Sequence, residues 1–270
     1  MKIKTFIVDA FTKEAFRGNP AGVCLPEIPL DVDTMQAVAS ELNLSETAFV
    51  LPVSREVNTF SIRYFTPTVE VPFCGHATLA SSKIVLDKLK KDVVHFVTHS
   101  NLQLSAKTNG LEITMKFPLY DTVPYEASLD FLSALGIKKA TSSHYAKALD
   151  MVVIHLDDPA KLQQLQPDFQ KLVLAAPQVK EVVVTSPSTT SEFDFYSRCF
   201  CPWIGINEDP VTGAAHAVLA KYWSVLLAKK TMNAYQCSKR GGYLKLHVLN
   251  ETELEATSAA HIVLEGEMTI

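Results

Sequence analysis

The chain has 270 residues, a formal charge of −4, 47% hydrophobic and 20% charged residues, a composition that supports a sizeable core and excludes disorder or an electrostatic case for nucleic acid or an anionic membrane surface. Its longest apolar runs, such as 151–154, fall far short of the about 20 residues a membrane helix needs, and Asp9 interrupts the N-terminal segment too early for a signal-peptide core. Five irregularly spaced cysteines make no disulfide framework, so the expectation is a reduced, soluble, cytoplasmic protein of one large or two small domains.

Residues 2–8, KIKTFIV, read as a strand, and FRGNPAGV at 16–23 reads as a Gly/Pro loop feeding another. Asp33 is a candidate cap for a helix whose apolar positions Met35, Val38, Ala39 and Leu42 recur at helical spacing. That helix should stop near Asn43, and residues 48–51 then read as a strand. Glu46 is therefore expected on a short helix-to-strand connection. Residues 60–65 read as a strand, and FCGHATLASSKIVLDKL after Pro72 carries small and apolar residues at helical spacing. Strand-like segments follow near 93–98, 101–106 and 111–117. The proline-flanked stretch from Pro118 to Pro124 is the boundary candidate. Beyond it, strands are expected near 151–156, 180–185 and 193–200. GAAHAVLAKYWSVLLAKK makes the strongest helical run, and strands near 243–249, 252–256 and 261–265 complete the chain. Arg240-Gly241-Gly242 reads as a hairpin turn.

An internal repeat organises these elements. EVPFCGHA at 70–77 aligns without gaps on EDPVTGAA at 208–215 as E-x-P-x-x-G-x-A. Ala80, Ile84, Val85 and Leu89 then fall opposite Val218, Tyr222, Trp223 and Leu227 at equal distances from Gly75 and Gly213, which favours duplication over chance. Each unit is a glycine-bearing turn feeding a mostly apolar helix, and such a helix must be surrounded by protein. The expected fold class is α+β: two pseudo-symmetric halves, each a strand-rich, barrel-like sheet wrapped around a central helix. The first half is expected over 1–117, with 261–270 a candidate to return to it, and the second over 118–260. Helix starts carry unpaired N–H groups and partial positive charge. Two such starts facing a cleft between the halves would suit a small carboxylate ligand.

Several residues carry a chemical reading beside a bland one. Glu46 is a solvated loop glutamate, or a proton carrier whose pKa burial lifts from about 4.3 toward neutrality, with Ser45 or Thr47 orienting its oxygens. His76 is an ordinary helix-start residue, or a ligand-bonding imidazole. Asp209 caps the helix after it, or binds a polar group of the substrate. Cys74 reads first as a small buried apolar residue. Arg17, Asn19 and Pro20 form a turn that either caps local backbone or borders the site. Cys199 and Cys201 share a strand face, a weak metal signal, and the eight histidines show no metal-ligand spacing. Neither a metal nor a cofactor is expected. His216, Tyr222 and Trp223 read as core or helix surface.

FRGNPAGV, NLSETAFV, RYFTPTVEVPFCGHATLA and DFYSRCFCPWIGINEDPVTGAAHAVL together resemble the phenazine-biosynthesis (PhzF-like) isomerases, and most closely the subgroup that includes the animal MAWD-binding protein. The resemblance runs from residue 1 to the C-terminus. It implies a diaminopimelate-epimerase-like fold with the active site between two halves. The implied reaction is a cofactor-free isomerisation of a small cyclic diene carboxylic acid, in which one carboxylate moves a proton between two ring carbons. The resemblance puts the catalytic acid on Glu46 and its polar partners on His76 and Asp209. Gly75 and Gly213 match glycines whose N–H groups hold the substrate carboxylate, and Asn19 and Thr212 fall at substrate-binding positions. It also implies a homodimer. Ala214 departs from the serine often found there, which removes one hydroxyl donor. Related racemases and epimerases use two opposed cysteines. Cys74 has no counterpart in DPVTG, so amino-acid epimerisation is the weaker alternative. A protein-interaction module without catalysis is the other rival, and the joint presence of Glu46, His76 and Asp209 argues against it.

Overall fold

The computed structural model describes residues 1–53 and 57–270, the side chain of Leu89 apart. The chain divides into two compact units, Met1–Lys116 with Ala256–Ile270, and Phe117–Glu255. In chain order the first stretch contains β1 (Lys2–Ala10), β2 (Asn19–Leu25), α1 (Val32–Leu42), β3 (Glu46–Pro52), β4 (Thr59–Phe65), β5 (Glu70–Val71), α2 (Gly75–Leu89), β6 (Val93–Thr98), β7 (Gln103–Asn109) and β8 (Glu112–Pro118). There follow β9 (Val123–Pro124), α3 (Leu129–Ala134), β10 (Ser142–Ala146), β11 (Met151–His155), α4 (Pro159–Gln163), α5 (Phe169–Ala175), β12 (Glu181–Pro187), β13 (Phe195–Cys201) and β14 (Ile206–Asp209). The chain ends with α6 (Gly213–Leu227), β15 (Thr231–Gln236), β16 (Gly242–Val248), β17 (Glu253–Ser258) and β18 (Ala260–Thr269). No helix among the described residues is long and apolar enough to cross a membrane.

In the first unit β1 runs antiparallel to both β18 and β2. β2 is parallel to β3, β3 antiparallel to β4, and β4 parallel to β6. β6, β7 and β8 form an antiparallel meander. The helix α2 packs against β1, β2, β3, β6, β7 and β18, so the sheet encloses it. Its composition demands this. Ala77, Leu79, Ala80, Ile84, Val85 and Leu86 are all buried, with Ser81 and Ser82 beside them, and a helix apolar around most of its circumference is stable only when surrounded. The Ser82 hydroxyl satisfies itself by donating to the carbonyl of Thr78 at 2.7 Å. The cap of α1 is Asp31 rather than Asp33: the Asp31 carboxylate accepts from the Thr34 N–H at 2.7 Å. Asp33 occupies the first turn instead, where its charge still favours the helix dipole. Asn43 ends the helix in the left-handed region, at φ 50°.

The second unit repeats that pairing order. The sequence antiparallel, parallel, antiparallel, parallel, antiparallel holds along β1-β2-β3-β4-β6-β7 and again along β10-β11-β12-β13-β15-β16. The central strands β11, β12 and β13 are buried on both faces and read as mostly apolar runs, whereas β15 and β16 alternate buried with partly or fully exposed positions. Val152, Ile154, Val182, Val184 and Phe200 face a cluster with Phe131, Leu135, Leu162 and Leu172 from α3, α4 and α5. Thr185 and His155 face α6 instead. Trp223 donates its indole N–H to Thr185 Oγ1 at 2.9 Å and stacks on Phe195. The helices α3, α4 and α5 are five to seven residues long, too short to show a periodicity in the sequence. They are marked instead by the caps Ser128, Asp158 and Asp168.

The repeat extends further than its glycine motif. Arg63-x-Phe65-x-Pro67 and Arg198-x-Phe200-x-Pro202 precede the two motifs. Arg63 holds Glu70 with two hydrogen bonds, at 2.7 and 2.6 Å. Arg198 holds Glu208 in the same way, at 2.7 and 2.9 Å. In each unit the pair ties the central strand to the segment that leads into the buried helix, a bidentate geometry that Lys does not supply.

The β1–β2 hairpin closes through Gly18, at φ +63°, where a Cβ would collide with the carbonyl oxygen of Ala10. Gly110 has the same φ but open space around it. Gly18→Ala should therefore cost roughly 2–4 kcal/mol and Gly110→Ala about 1 kcal/mol in urea unfolding. Equal losses would show that the hairpin does not depend on that close approach.

Candidate active site

In the first unit, the parallel pairing of β2 with β3 sets Glu46 opposite Ala21, two residues from Asn19. Glu46 is thus the first residue of a strand rather than part of a loop. The turn before α2 supplies the rest. Cys74 occupies the cap position, Gly75 opens the helix and His76 follows. A buried relay fixes that turn. The Thr78 hydroxyl donates to the Cys74 carbonyl at 2.6 Å, and it accepts from Tyr64, also at 2.6 Å.

The result is a compact polar group. His76 Nε2 lies 3.1 Å from Glu46 Oε2 and 3.3 Å from Ser45 Oγ, and its Nδ1 lies 3.3 Å from Cys74 Sγ. The side chains of His76 and Glu46 are 10% and 18% exposed, so solvent reaches the pair but hardly screens it. Burial works against the Glu46 charge, but the His76 imidazole, together with bonds from Ser45 and Cys74, outweighs it and lowers the carboxyl below its ordinary value. Burial also works against a charged His76. The hydrogen bond that the imidazole donates to the Cys74 sulfur and the charge of the Glu46 carboxylate outweigh burial and raise His76 well above its ordinary value. Burial and the neighbouring carboxylate push the Cys74 thiol up, so the sulfur is an uncharged thiol at neutral pH and Glu46 is the anion of the group. The resting state is an ion pair, Glu46 carboxylate with His76 imidazolium. This corrects the expectation that burial lifts Glu46 toward neutrality: burial acts in that direction, but the imidazolium prevails.

Of the two hydroxyls flanking Glu46, Ser45 takes part. Thr47 Oγ1 is buried without a hydrogen-bond partner, so it does not orient the carboxylate. Cys74 is buried as expected of a small apolar residue, yet it also touches the imidazole. Asn19 is fully buried at the start of β2. The cap residue of α2 makes no side-chain bond to the helix start.

The second unit builds a different group on the same backbone plan. Asp209 ends β14, Thr212 is the cap of α6, and Gly213 is its first residue. The Thr212 hydroxyl donates to Asp209 Oδ2 and accepts no hydrogen bond from the N–H groups of the helix start. Gln236, fully buried on β15, is the residue sequence reasoning missed. Its carbonyl oxygen accepts from the Thr212 N–H at 3.0 Å, and its amide donates to the Asp209 carbonyl at 2.7 Å. A lone glutamine in a strand carries no sequence signal for this. His216 is core, as expected. Burial lowers its pKa to about 4. Its Nδ1 sits 2.8 Å from the Thr212 carbonyl, which can only accept, so the neutral ring carries its proton there.

The pH dependence of stability follows with opposite signs for the two partners. The lowered Glu46 pKa contributes stability above about pH 4.3, lost as pH falls; the raised His76 pKa contributes fully below about pH 6.5, lost as pH rises toward its folded value. The stability difference between the wild type and His76→Asn should peak between those limits, at roughly 1–3 kcal/mol, and shrink above pH 7. A difference constant from pH 5 to 9, measured by urea unfolding, would rule out the ion pair.

A family model described as phenazine biosynthesis-like protein matches residues 8–267. A phenazine biosynthesis-like domain-containing protein of Pongo abelii is 41% identical over all of both chains. A protein of Halalkalibacterium halodurans named an uncharacterized isomerase is also 41% identical over all of both chains. Among solved structures, a PhzF-family phenazine biosynthesis protein of Enterococcus faecalis superposes with a TM-score of 0.90 at 34% identity, again covering both chains fully.

Proposed function

The chain belongs to the PhzC-PhzF family of phenazine biosynthesis-like proteins, and on that premise we propose that it is a cofactor-independent isomerase. In this reading Glu46 moves a proton between two carbons of a small carboxylic acid. The observation that carries the reading is the buried Glu46–His76 pair, 3.1 Å apart at an uncapped helix start. An isomerase name on a relative of 41% identity supports the reaction class.

The residues suit each step. The N–H groups at the start of α2, beginning with Gly75, offer an anion site for the substrate carboxylate. Glu46, ionised at rest, takes a proton from a carbon made acidic by the neighbouring unsaturation. The electron pair delocalises into the substrate, and the His76 imidazolium stabilises the negative charge that develops there. Glu46, now a carboxylic acid, returns the proton to a second carbon, so atoms and charge balance without an external acid. Ordinarily a carboxylate with a lowered pKa is a weak base. Entry of an anionic substrate adds negative charge and expels water, and both effects raise the Glu46 pKa at the moment a base is required. For the second unit the proposal gives Asp209 and the Gly213 helix start a role in holding polar groups of the substrate, with Thr212 and Gln236 fixing Asp209. Asn19 is assigned a substrate-binding role at the start of β2. A homodimeric, cytoplasmic enzyme belongs to the same proposal.

The test is carbon-bound deuterium uptake in deuterated water, followed by NMR over a panel of small unsaturated and cyclic carboxylic acids. Exchange on at least one acid is expected, falling about 10²–10⁴-fold in Glu46→Gln. Equal exchange in the two proteins would remove Glu46 from its role. The rate at subsaturating substrate, which reports the free enzyme, should plateau across a wide pH range. The acid limb should lie below the ordinary carboxylate value of about 4.3 and the basic limb above the ordinary imidazole value of about 6.5. Limbs inside that interval would contradict the charged resting state.

A further inference from the structure

Glu46, Cys74 and His76 bring three different donors together. One carboxylate oxygen, one sulfur and one imidazole nitrogen all lie within 4.8 Å of one another, the single such group among the described residues. The separations fit a common centre. His76 Nε2 is 3.1 Å from Glu46 Oε2 and 3.9 Å from Cys74 Sγ. A tetrahedral zinc, with bonds of about 2.0 Å to nitrogen and oxygen and about 2.3 Å to sulfur, sets donor–donor edges of about 3.3–3.7 Å. The two edges at His76 lie within a few tenths of an ångström of those values, and the third, from Glu46 to Cys74, lies within 4.8 Å; Cys74 and His76 share one helix start and Glu46 is fixed by the β2–β3 ladder.

We propose that this cluster is a binding site for a thiophilic divalent cation, zinc in particular, ligated by Glu46, Cys74 and His76. Metal ligands must be deprotonated, so protons held by the imidazole nitrogen and the thiol leave to solvent as the metal enters, and no electron is transferred. A carboxylate and a thiolate together neutralise the dication, which offsets the main electrostatic cost of admitting it to a buried site. The positive end of α2, equivalent to roughly half a charge, disfavours the cation but favours the thiolate and carboxylate that hold it. The donor set selects the metal. A thiolate with an imidazole suits zinc over magnesium or calcium, which prefer all-oxygen sites. Three protein ligands leave a fourth position for water or a carboxylate.

A zinc ion seated there occupies the lone pairs that would carry the moving proton, so zinc acts as a reversible off-switch. That consequence rests on Glu46 being the proton carrier; the binding itself does not. The experiment therefore reads binding without turnover. The full chain, dialysed against a chelator, is titrated with Co²⁺, whose bond to a thiolate gives a near-ultraviolet charge-transfer band. One equivalent should bind and produce the band, and added Zn²⁺ should abolish it. Cys74→Ala and the isosteric Cys74→Ser, each first checked for an unchanged thermal transition, should lose the band. Glu46→Gln should bind at least tenfold more weakly. No band in the wild type, or a band of equal strength in the Cys74 variants, overturns the site. A band that forms while deuterium exchange continues under saturating Zn²⁺ keeps the metal site but overturns Glu46 as the proton carrier. An exchange that stops with zinc and resumes with chelator supports both.

Discussion

A buried ion pair at a helix start is the constraint around which the first unit is arranged. At 3.1 Å the attraction between Glu46 and His76 is ~5 kcal/mol gross at an effective dielectric near 20. Removing two charges from water costs several kcal/mol for each. The two amounts are comparable, so the pair does little for stability. What it secures is a protonation state: a carboxylate kept ionised in a site where burial alone would neutralise it. Much of the surrounding structure serves that end. The Tyr64–Thr78 relay holds the Cys74 carbonyl, Ser45 bonds the imidazole, and the β2–β3 ladder fixes where Glu46 begins.

Duplication explains why such a site could arise on one side of a repeat. Both units use a bidentate Arg–Glu pair to fasten the approach to a buried helix. Both use a side chain four residues past the cap to hold the cap carbonyl, Thr78 in the first and His216 in the second. On this shared backbone the side chains diverge. His76 at the second helical position corresponds to Ala214. The first unit therefore carries a charged imidazole, and the second carries a neutral, buried one that works only as a core hydrogen-bond donor.

Much of this was legible in the sequence, and the failures have physical causes. The two central helices were readable because 15 residues of mostly small and apolar side chains give a signal no loop imitates. The repeat was readable at the glycine turns, where backbone geometry restricts the residue type. Its Arg-x-Phe-x-Pro extension was missed because a three-residue difference in the following loop breaks the gapless alignment. The boundary of β3 was missed because Glu46 is polar and yet pairs in the ladder; propensity ends the strand where the partner strand continues it. The location of the acid was visible in SETAF, but its ionisation was not. That depends on a 3.1 Å contact with a residue 30 positions away, and no local pattern encodes it. Gln236 was invisible for the same reason.

The charge state of His76 is the claim on which the rest turns. It is measured most directly by ¹⁵N NMR of the imidazole nitrogens in histidine-labelled protein at pH 7, with Glu46→Gln as the reference. The account predicts that both ring nitrogens of His76 carry protons in the wild type. In the variant, where the carboxylate no longer opposes burial, one of those protons should be lost. A neutral His76 ring in the wild type at pH 7 would contradict it.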